Sequence, residues 1–245
     1  MGRPRVSAEV RDLIATMARD NPRWGAERIR GELHKLGIAV SKASVQRHRR
    51  RGPASPPSQS WRTFLRNHRP SIWAADLLTV PTLAFRTLDV LVFVTHARRE
   101  LVHLNVTTSP TAAWVWRQLI AATPWGRTPR YLIRDRDAVY GRDFGPRARR
   151  LSIETVLTPI RAPRTNAVAE RPVGTLRREC LDHVIILNEA HLRAVLTEYA
   201  AFYNAERPHQ ALELGTPLQR IRPAHGSIRA SPVLGGLHHT YERVA

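Results

Sequence analysis

Residues 72–107 read IWAADLLTVPTLAFRTLDVLVFVTHARRELVHLNVT, and this stretch decides the fold of most of the chain. It contains three runs rich in Val, Leu, Ile and Thr, separated by short turn segments: Ile72–Val80, Leu88–Thr95 and Leu101–Thr107. Such runs with tight connections predict three antiparallel strands in a meander.

Helices and strands alternate after this meander. A helix is predicted over Thr111–Ala122, a short buried strand over Tyr131–Arg134 and, after a further helix, a strand over Ile153–Leu157. Two more helices are predicted over Asn166–Leu181 and Glu189–Tyr203. Three hairpin strands followed by alternating helices and strands predict an α/β fold, with a mixed five-stranded sheet flanked by helices.

Residues 1–50 are predicted to form three helices. Apolar residues recur in steps of three and four in two segments, which end at Asn21-Pro22 and at Gly37. Ser41 can cap a third helix that runs to Arg50. Two helices, a turn that contains glycine and a basic third helix predict a small all-α domain of the helix-turn-helix type.

The third helix of this domain is the candidate for entering the major groove of DNA. Residues 1–60 hold 13 basic and 5 acidic residues, a net charge of 13 − 5 = +8. This charge favours DNA binding over the alternative, a three-helix bundle with a charged and solvated terminus. The basic side chains predicted to contact DNA lie on or beside the third helix: Lys42, Arg47, Arg49 and Arg50.

A linker is predicted to follow. Residues 51–60 (RGPASPPSQS) contain three prolines, three serines and no large apolar residue, so they cannot join a core. We therefore expect a helix-turn-helix region at 1–50, the linker at 51–60, a core domain at 61–222 and a C-terminal tail at 223–245.

The chain is strongly basic. Of its 245 residues, 39 are Lys or Arg and 20 are Asp or Glu, which gives a formal net charge of 39 − 20 = +19. A charge of this size predicts an anionic partner, most often a nucleic acid. A genome rich in arginine codons would explain the preference for arginine over lysine, but not the twofold excess of basic residues.

Cysteine usage and hydropathy exclude several classes of protein. Cys180 is the only cysteine, which excludes a disulfide framework and a cysteine-based zinc knuckle. No apolar run approaches the roughly 18 residues of a membrane span, and the N-terminal segment lacks the apolar stretch of a secretory leader. We therefore expect a cytoplasmic, nucleoid-associated protein without a membrane partner.

Three carboxylates stand where such a sheet can bring them together. Asp76 lies inside the first apolar strand, where a charge is costly to bury unless it is paired or binds a cation. Asp135 ends the fourth strand, and Glu170 lies on the helix predicted to begin near Asn166. Three carboxylates suit Mg²⁺ or Mn²⁺. Structural roles are the alternatives: Asp135 as a turn cap or Glu170 in a surface ion pair. Asp137 competes with Asp135 for the middle position.

These motifs resemble the catalytic core of DDE transposases and integrases, in particular the transposases of bacterial insertion sequences. The resemblance rests on WAAD at 73–76, RDRDAVYG at 134–141, NAVAER at 166–171 and YNAERPH at 203–209. The spacing from Asp135 to Glu170 is also close to that of the family, and closer than the spacing from Asp137.

The resemblance implies a ribonuclease-H-like fold, with 61–222 as an integrase-like catalytic core that transfers DNA strands. It implies that Asp76, Asp135 and Glu170 are the catalytic residues and the ligands of two Mg²⁺ or Mn²⁺ ions. Transposon ends and target DNA would be the partners, bound by a homodimer or larger assembly because two ends join in one event.

Two further DNA contacts are predicted on the helix that carries Glu170. Asn166 lies four residues before Glu170 and Arg177 seven residues after it, so the three side chains share one helix face. Arg177 can then hold a phosphate of the DNA. A solvated helix charge is the alternative for Arg177.

Pro172 departs from the family pattern, which more often has an aromatic residue here. A proline inside a helix removes one hydrogen bond and costs roughly 3 kcal/mol, so either the helix is kinked or Glu170 lies nearer its start than assumed. This departure leaves two other functions open: an inactive, repressor-like DNA-binding derivative of a transposase, and a metal-dependent nuclease that hydrolyses DNA without joining it.

Overall fold

The computed structural model of the protein divides into two compact units, residues 1–60 and 61–245. The residues that the structure describes are 6–21, 23–49, 61–124, 126–158 and 167–244. None of the helices in these ranges has the length and apolar character needed to cross a membrane.

The first unit contains the three predicted helices, α1 (Ala8–Asp20), α2 (Ala26–Lys35) and α3 (Lys42–His48). The hydroxyl groups of Ser7 and Ser41 accept backbone N–H groups at the starts of α1 and α3. The three helices share a small apolar core, built from Ile14, Ala18, Ala26, Ile29, Leu33 and Val45. The three helices are therefore present, while a helix-turn-helix role in DNA binding stays a prediction.

The second unit is built on a five-stranded sheet. In chain order the strands are β1 (Ile72–Pro81), β2 (Thr87–Thr95), β3 (Leu101–Thr107), β4 (Tyr131–Arg134) and β5 (Glu154–Leu157). Their spatial order is β3-β2-β1-β4-β5. The first three strands pair antiparallel, and β4 and β5 continue the sheet in the direction of β1. The mixed five-stranded sheet is confirmed, and its order and directions are those of the ribonuclease-H-like fold.

Helices cover both faces of this sheet. They are α4 (Trp61–His68), α5 (Ala112–Ala122), α6 (Phe144–Arg150), α7 (Ala167–Glu179) and α8 (Glu189–Ala205). Residues in a strand alternate between faces, and β2 shows this directly. Its Val90, Val92 and Val94 pack with residues of α7 and α8, whereas Leu91 and Phe93 pack with residues of α5 and α6.

The residues predicted to be a C-terminal tail form a hairpin of β6 (Ser227–Val233) and β7 (His238–Val244). The His238 ring donates a hydrogen bond to the carbonyl oxygen of Glu179 at 2.7 Å and stacks on Phe202, with 4.7 Å between the ring centroids. The hairpin is thus attached to α7 and α8. Most of its side chains are exposed.

The YNAERPH motif at 203–209 holds the end of α8 in place. Asn204 is buried, and its side chain bonds both the N–H and the carbonyl oxygen of Leu101 on β3, each at 2.9 Å. The Arg207 guanidinium makes two hydrogen bonds of 2.6 and 2.7 Å to the Glu179 carboxylate. His209 is buried beside Tyr203.

Asn204→Ala is expected to lower the free energy of unfolding by about 2–4 kcal/mol, because it leaves a buried backbone N–H and carbonyl of an edge strand without partners. Chemical denaturation measures this change. Asn67→Ala, which truncates an exposed asparagine on α4, is the control and should stay within about 0.5 kcal/mol of wild type. Equal effects of the two substitutions would contradict the role assigned to Asn204.

Candidate active site

Pairing of β1 with β4 places Asp76 and Asp135 side by side. The two strands run parallel, and their pairs extend from Ile72 with Tyr131 to Ala74 with Ile133. Continued by two residues, this register leads to Asp76 within β1 and to Asp135, which directly follows the last residue of β4. Neighbouring strands lie about 4.8 Å apart, so both carboxylates leave the sheet at one place.

Asp76 belongs to the face of β1 that α7 covers. With Ile72 and Ala74 it shares the two-residue period of one face, and these two residues pack against Ala169 at the start of α7. Glu170 follows Ala169 directly, is exposed and lies in the first turn of the helix. The positive end of the helix dipole favours a carboxylate there. Packing of Ala169 against β1 therefore places Glu170 near Asp76, on which its charge acts.

The charges of Asp135 and Glu170 both act on Asp76. Burial, together with the negative charges of Asp135 and Glu170, raises the pKa of Asp76 to about 7, against a 3.0 Å hydrogen bond from the Leu77 N–H. Both predicted partners thus act on Asp76. In the described part of the chain, however, no three His, Cys, Asp or Glu side chains are arranged as a group that could hold a metal ion.

Asp137 has a structural role. Its side chain accepts the Val139 N–H at 2.8 Å and caps the short helical turn that follows. Asp135, not Asp137, is among the causes of the raised pKa of Asp76. The geometry favours Asp135 for the middle position.

Pro172 does not end α7, which continues to Glu179. Because α7 begins at Ala167, Glu170 is its fourth residue and Pro172 its sixth. Pro172 lies beyond the first four residues, so its missing N–H removes one hydrogen bond to the first turn, while the rest of the helix continues. The structure agrees with the second alternative given above, in which Glu170 lies near the start of the helix.

Arg134 and Tyr140 support Asp135 from the other face of the sheet, and neither was predicted as a site residue. Both are buried, and the Arg134 guanidinium lies 4.5 Å from the centre of the Tyr140 ring. Arg134 also donates to the carbonyl oxygen of Asp135 at 3.0 Å. Burial, together with the charges of Asp135 and Asp76, raises the pKa of Tyr140. The alternation of Arg and Asp at 134–137 was the available sequence signal.

The predicted DNA contacts have varied surroundings. Arg177 donates to the carbonyl oxygen of Thr79 at 3.0 Å, which ties α7 to β1. Lys42 lies 3.2 Å from the Glu27 carboxylate. Arg47 is exposed at the end of α3 and Arg49 follows the helix. Arg50 and Asn166 lie outside the described residues.

Comparison with known proteins gives one family match. Residues 151–217 match the family described as "Integrase core domain". This range contains Glu170 but neither Asp76 nor Asp135.

Two curated proteins of insertion elements are similar over most of the chain. The "Insertion element IS476 uncharacterized 39.2 kDa protein" of Xanthomonas euvesicatoria is 25% identical over 236 residues, which cover 90% of this chain and 68% of the relative. The "Insertion element IS407 uncharacterized 31.7 kDa protein" of Burkholderia multivorans is 26% identical over 208 residues, which cover 84% of this chain and 73% of the relative.

Solved structures similar to this chain include retroviral integrases. The HTLV-2 integrase catalytic core domain, in complex with magnesium, has a TM-score of 0.48 and 11% identity over 59% of this chain and 95% of that domain. A chain of the simian T-cell lymphotropic virus intasome has a TM-score of 0.49 and 13% identity over 94% of this chain and 87% of that one.

The order and directions of the five strands define the class, a protein with a ribonuclease-H-like fold. Within this class, the match over residues 151–217 and the two insertion-element relatives support placing the chain in the DDE transposase and integrase family.

We expect the metal-free protein to lose stability as pH rises from about 4 to about 7. Asp76 has a pKa of about 7 in the folded chain and an ordinary value of 3.8, so the folded state binds more protons in this window. The free energy of unfolding then falls with rising pH, by roughly 1–3 kcal/mol. Asp76→Asn removes this contribution.

Chemical denaturation in EDTA at several pH values measures the effect as the difference between wild type and Asp76→Asn. Asp182→Asn, which removes an exposed carboxylate, serves as the control and should keep the wild-type pH dependence. A difference between wild type and Asp76→Asn that stays constant over the window would contradict the raised pKa.

Proposed function

We propose that the protein is a DNA strand-transfer enzyme of the transposase and integrase type, which uses Mg²⁺ or Mn²⁺ to cleave and join phosphodiester bonds. The observation that carries the proposal is the convergence of Asp76, Asp135 and Glu170 from two parallel strands and one helix start. The two similar proteins of insertion elements support it.

The donor set fits divalent cations. All three side chains are carboxylates, the ligands that Mg²⁺ and Mn²⁺ prefer. The negative charges that raise the pKa of Asp76 would be offset by bound cations, so Asp76 would ionise more readily with metal than without it. Asp76, Asp135 and Glu170 would hold two ions. Bound cations of this kind stabilise the charge that develops on the attacked phosphodiester and its leaving oxygen.

Different elements of the chain would position the carboxylates and contact the DNA. The sheet would fix the positions of Asp76 and Asp135, whereas Glu170 lies on the first turn of α7 and would complete the site. Arg177, next to β1, would contact a phosphate of the substrate. Lys42, Arg47, Arg49, Arg50 and Asn166 would contribute further DNA contacts.

The same proposal includes the partners. The net charge of +19 favours binding to DNA, and we infer that transposon ends and target DNA are the substrates. Joining two ends in one event requires a homodimer or larger assembly on the DNA. The protein would act in the cytoplasm, in association with the nucleoid.

One observation favours a second candidate function. The described carboxylates are not arranged as a complete metal-binding group, which is what an inactive, repressor-like DNA-binding derivative would show. A nuclease that hydrolyses without joining is distinguished from both by its products.

The decisive experiment incubates the purified chain with labelled duplexes that carry the DNA ends flanking its gene, in Mg²⁺ or Mn²⁺. We expect nicked and joined products from wild type. Asp76→Asn, Asp135→Asn and Glu170→Gln should each lower the rate by at least about 100-fold while DNA binding stays within about twofold. Asp137→Asn, which removes a carboxylate but keeps an oxygen that can accept the Val139 N–H, should keep most activity.

The products separate the three functions. Joined strands indicate a transposase, hydrolysis alone indicates a nuclease, and binding without cleavage in either metal indicates the DNA-binding derivative. Cleavage that survives all three carboxylate substitutions would contradict the proposed site.

Mn²⁺ should raise the midpoint of thermal unfolding more at pH 8 than at pH 5.5. Carboxylates must lose their protons to bind the ion, and the raised pKa of Asp76 makes this step pH-dependent. Asp76→Asn should reduce the shift at pH 8, and Asp182→Asn should not. A shift of equal size at both pH values would argue against binding at these carboxylates.

A further inference from the structure

A cluster of basic side chains lies in the second unit, at the turn between β2 and β3. Arg69 donates to the carbonyl oxygen of Ala97 in this turn at 3.2 Å. His96 and Arg99 belong to the turn, and the positive charge of Arg171 on α7 acts on Arg99. We call Arg69, His96, Arg99 and Arg171 the Arg99 cluster.

Arg99 is the centre of this cluster. It is half-buried, has a positive φ of 61° and keeps a buried Nη1 atom without a hydrogen-bond partner in the described part of the chain. Burial lowers the pKa of Arg99, and the positive charges of Arg69 and Arg171 lower it further. The guanidinium is therefore held in an unfavourable environment that nothing described here neutralises.

His96 adds a second unsatisfied group. Its side chain is only 8% exposed, and its Nδ1 has no hydrogen-bond partner among the described residues. Burial, Arg99 and Arg69 lower the pKa of His96 to about 4. The ring is thus neutral at pH 7 and can donate one hydrogen bond.

The cluster lacks a negative partner. None of the ion pairs in the described residues includes Arg69, Arg99 or Arg171. The stretches outside the described residues contain no Asp or Glu. Partly buried charges are normally paired, because leaving one unpaired is strongly unfavourable. Arg69 and Arg171 are exposed, so these two members of the cluster can contact an anion from solution.

We propose that the Arg99 cluster binds one backbone phosphate of the DNA that the active site processes. The inference rests on the proposed function and extends it, because Arg171 directly follows Glu170 on α7. A phosphate oxygen is the acceptor that guanidinium groups bind with two parallel hydrogen bonds. The cluster would hold the DNA at a second point beside the carboxylates, so that the strand cannot rotate about the cleaved bond.

DNA binding in Ca²⁺ without turnover tests this inference. Arg69→Gln and Arg171→Gln should each weaken binding about five- to tenfold at low salt and lower the slope of log K against log salt by about 0.9, the change for one lost phosphate contact. Arg150→Gln removes an equal charge from the exposed side of α6. It is the matched control and should leave both quantities within about twofold of wild type.

Arg99→Gln gives an independent readout. If Arg99 binds DNA, Arg99→Gln removes an unpaired charge from the free protein. The midpoint of thermal unfolding without DNA should then rise or stay equal, while DNA binding weakens. If Arg99 serves only to hold the turn, the midpoint should fall and restoring the fold at low temperature should restore binding. Should Arg99→Gln not fold, the two exposed variants carry the test.

Competition with inorganic phosphate distinguishes a backbone phosphate of DNA from a free phosphate ion as the ligand of the Arg99 cluster. It should compete weakly with DNA at this cluster in wild type and less in Arg69→Gln. Stabilisation by inorganic phosphate with unchanged DNA binding in all variants would mean a site for a free anion and would overturn the assignment to DNA. Equal weakening in Arg150→Gln and the cluster variants would also overturn it. Absence of DNA binding by wild type would instead contradict the proposed function itself.

Discussion

Parallel pairing of β1 with β4 is the constraint on which the site depends. The register that joins Ile72 to Tyr131 also brings Asp135, directly after β4, close enough to Asp76 for its negative charge to act on that residue. A shift of one residue would turn Asp76 to the opposite face, away from α7. The apolar side chains that fix this register, Ala74 and Ile133 among them, are fully buried. Hydrophobic packing thus maintains an arrangement that electrostatics opposes.

The packing of helix α7 against β1 also sets the positions of Glu170 and of Arg171, which belongs to the Arg99 cluster. Ala169 is buried against the sheet, Glu170 acts on Asp76, and Arg171 acts on Arg99. Three consecutive residues therefore serve packing, the acidic site and the basic site. Arg177 connects the same helix to Thr79 further along β1. A small movement at the start of α7 would change the distances in both charged sites at once.

Much of the fold could be predicted from the sequence, because consecutive apolar residues of β1 and β2 are buried in the core on both faces of the sheet. The hairpin β6–β7 could not, since its side chains are mostly exposed and leave no apolar pattern. The candidate carboxylates could be chosen because a charge inside an apolar strand is unusual. Arg99 could not, because its environment is made by Arg69 and Arg171, which are far apart in the chain and are joined only by folding. Among 39 basic residues, nothing in the sequence distinguishes those that lack a partner.

The two charged sites make opposite demands on a ligand. The carboxylates repel one another and favour a cation, while the Arg99 cluster is an unpaired positive charge and favours an anion. A cation alone would relieve the repulsion between the carboxylates but add positive charge near the Arg99 cluster. An anion alone would relieve the Arg99 cluster but add negative charge near the carboxylates. On the proposed function, DNA together with divalent cations would relieve both, because its phosphates would lie beside the ions. Each ligand would then lower the cost of binding the other, since both would bias the position of the same helix start. The unpaired charges would lower the stability of the protein without ligand, and binding of DNA and cations would offset this loss.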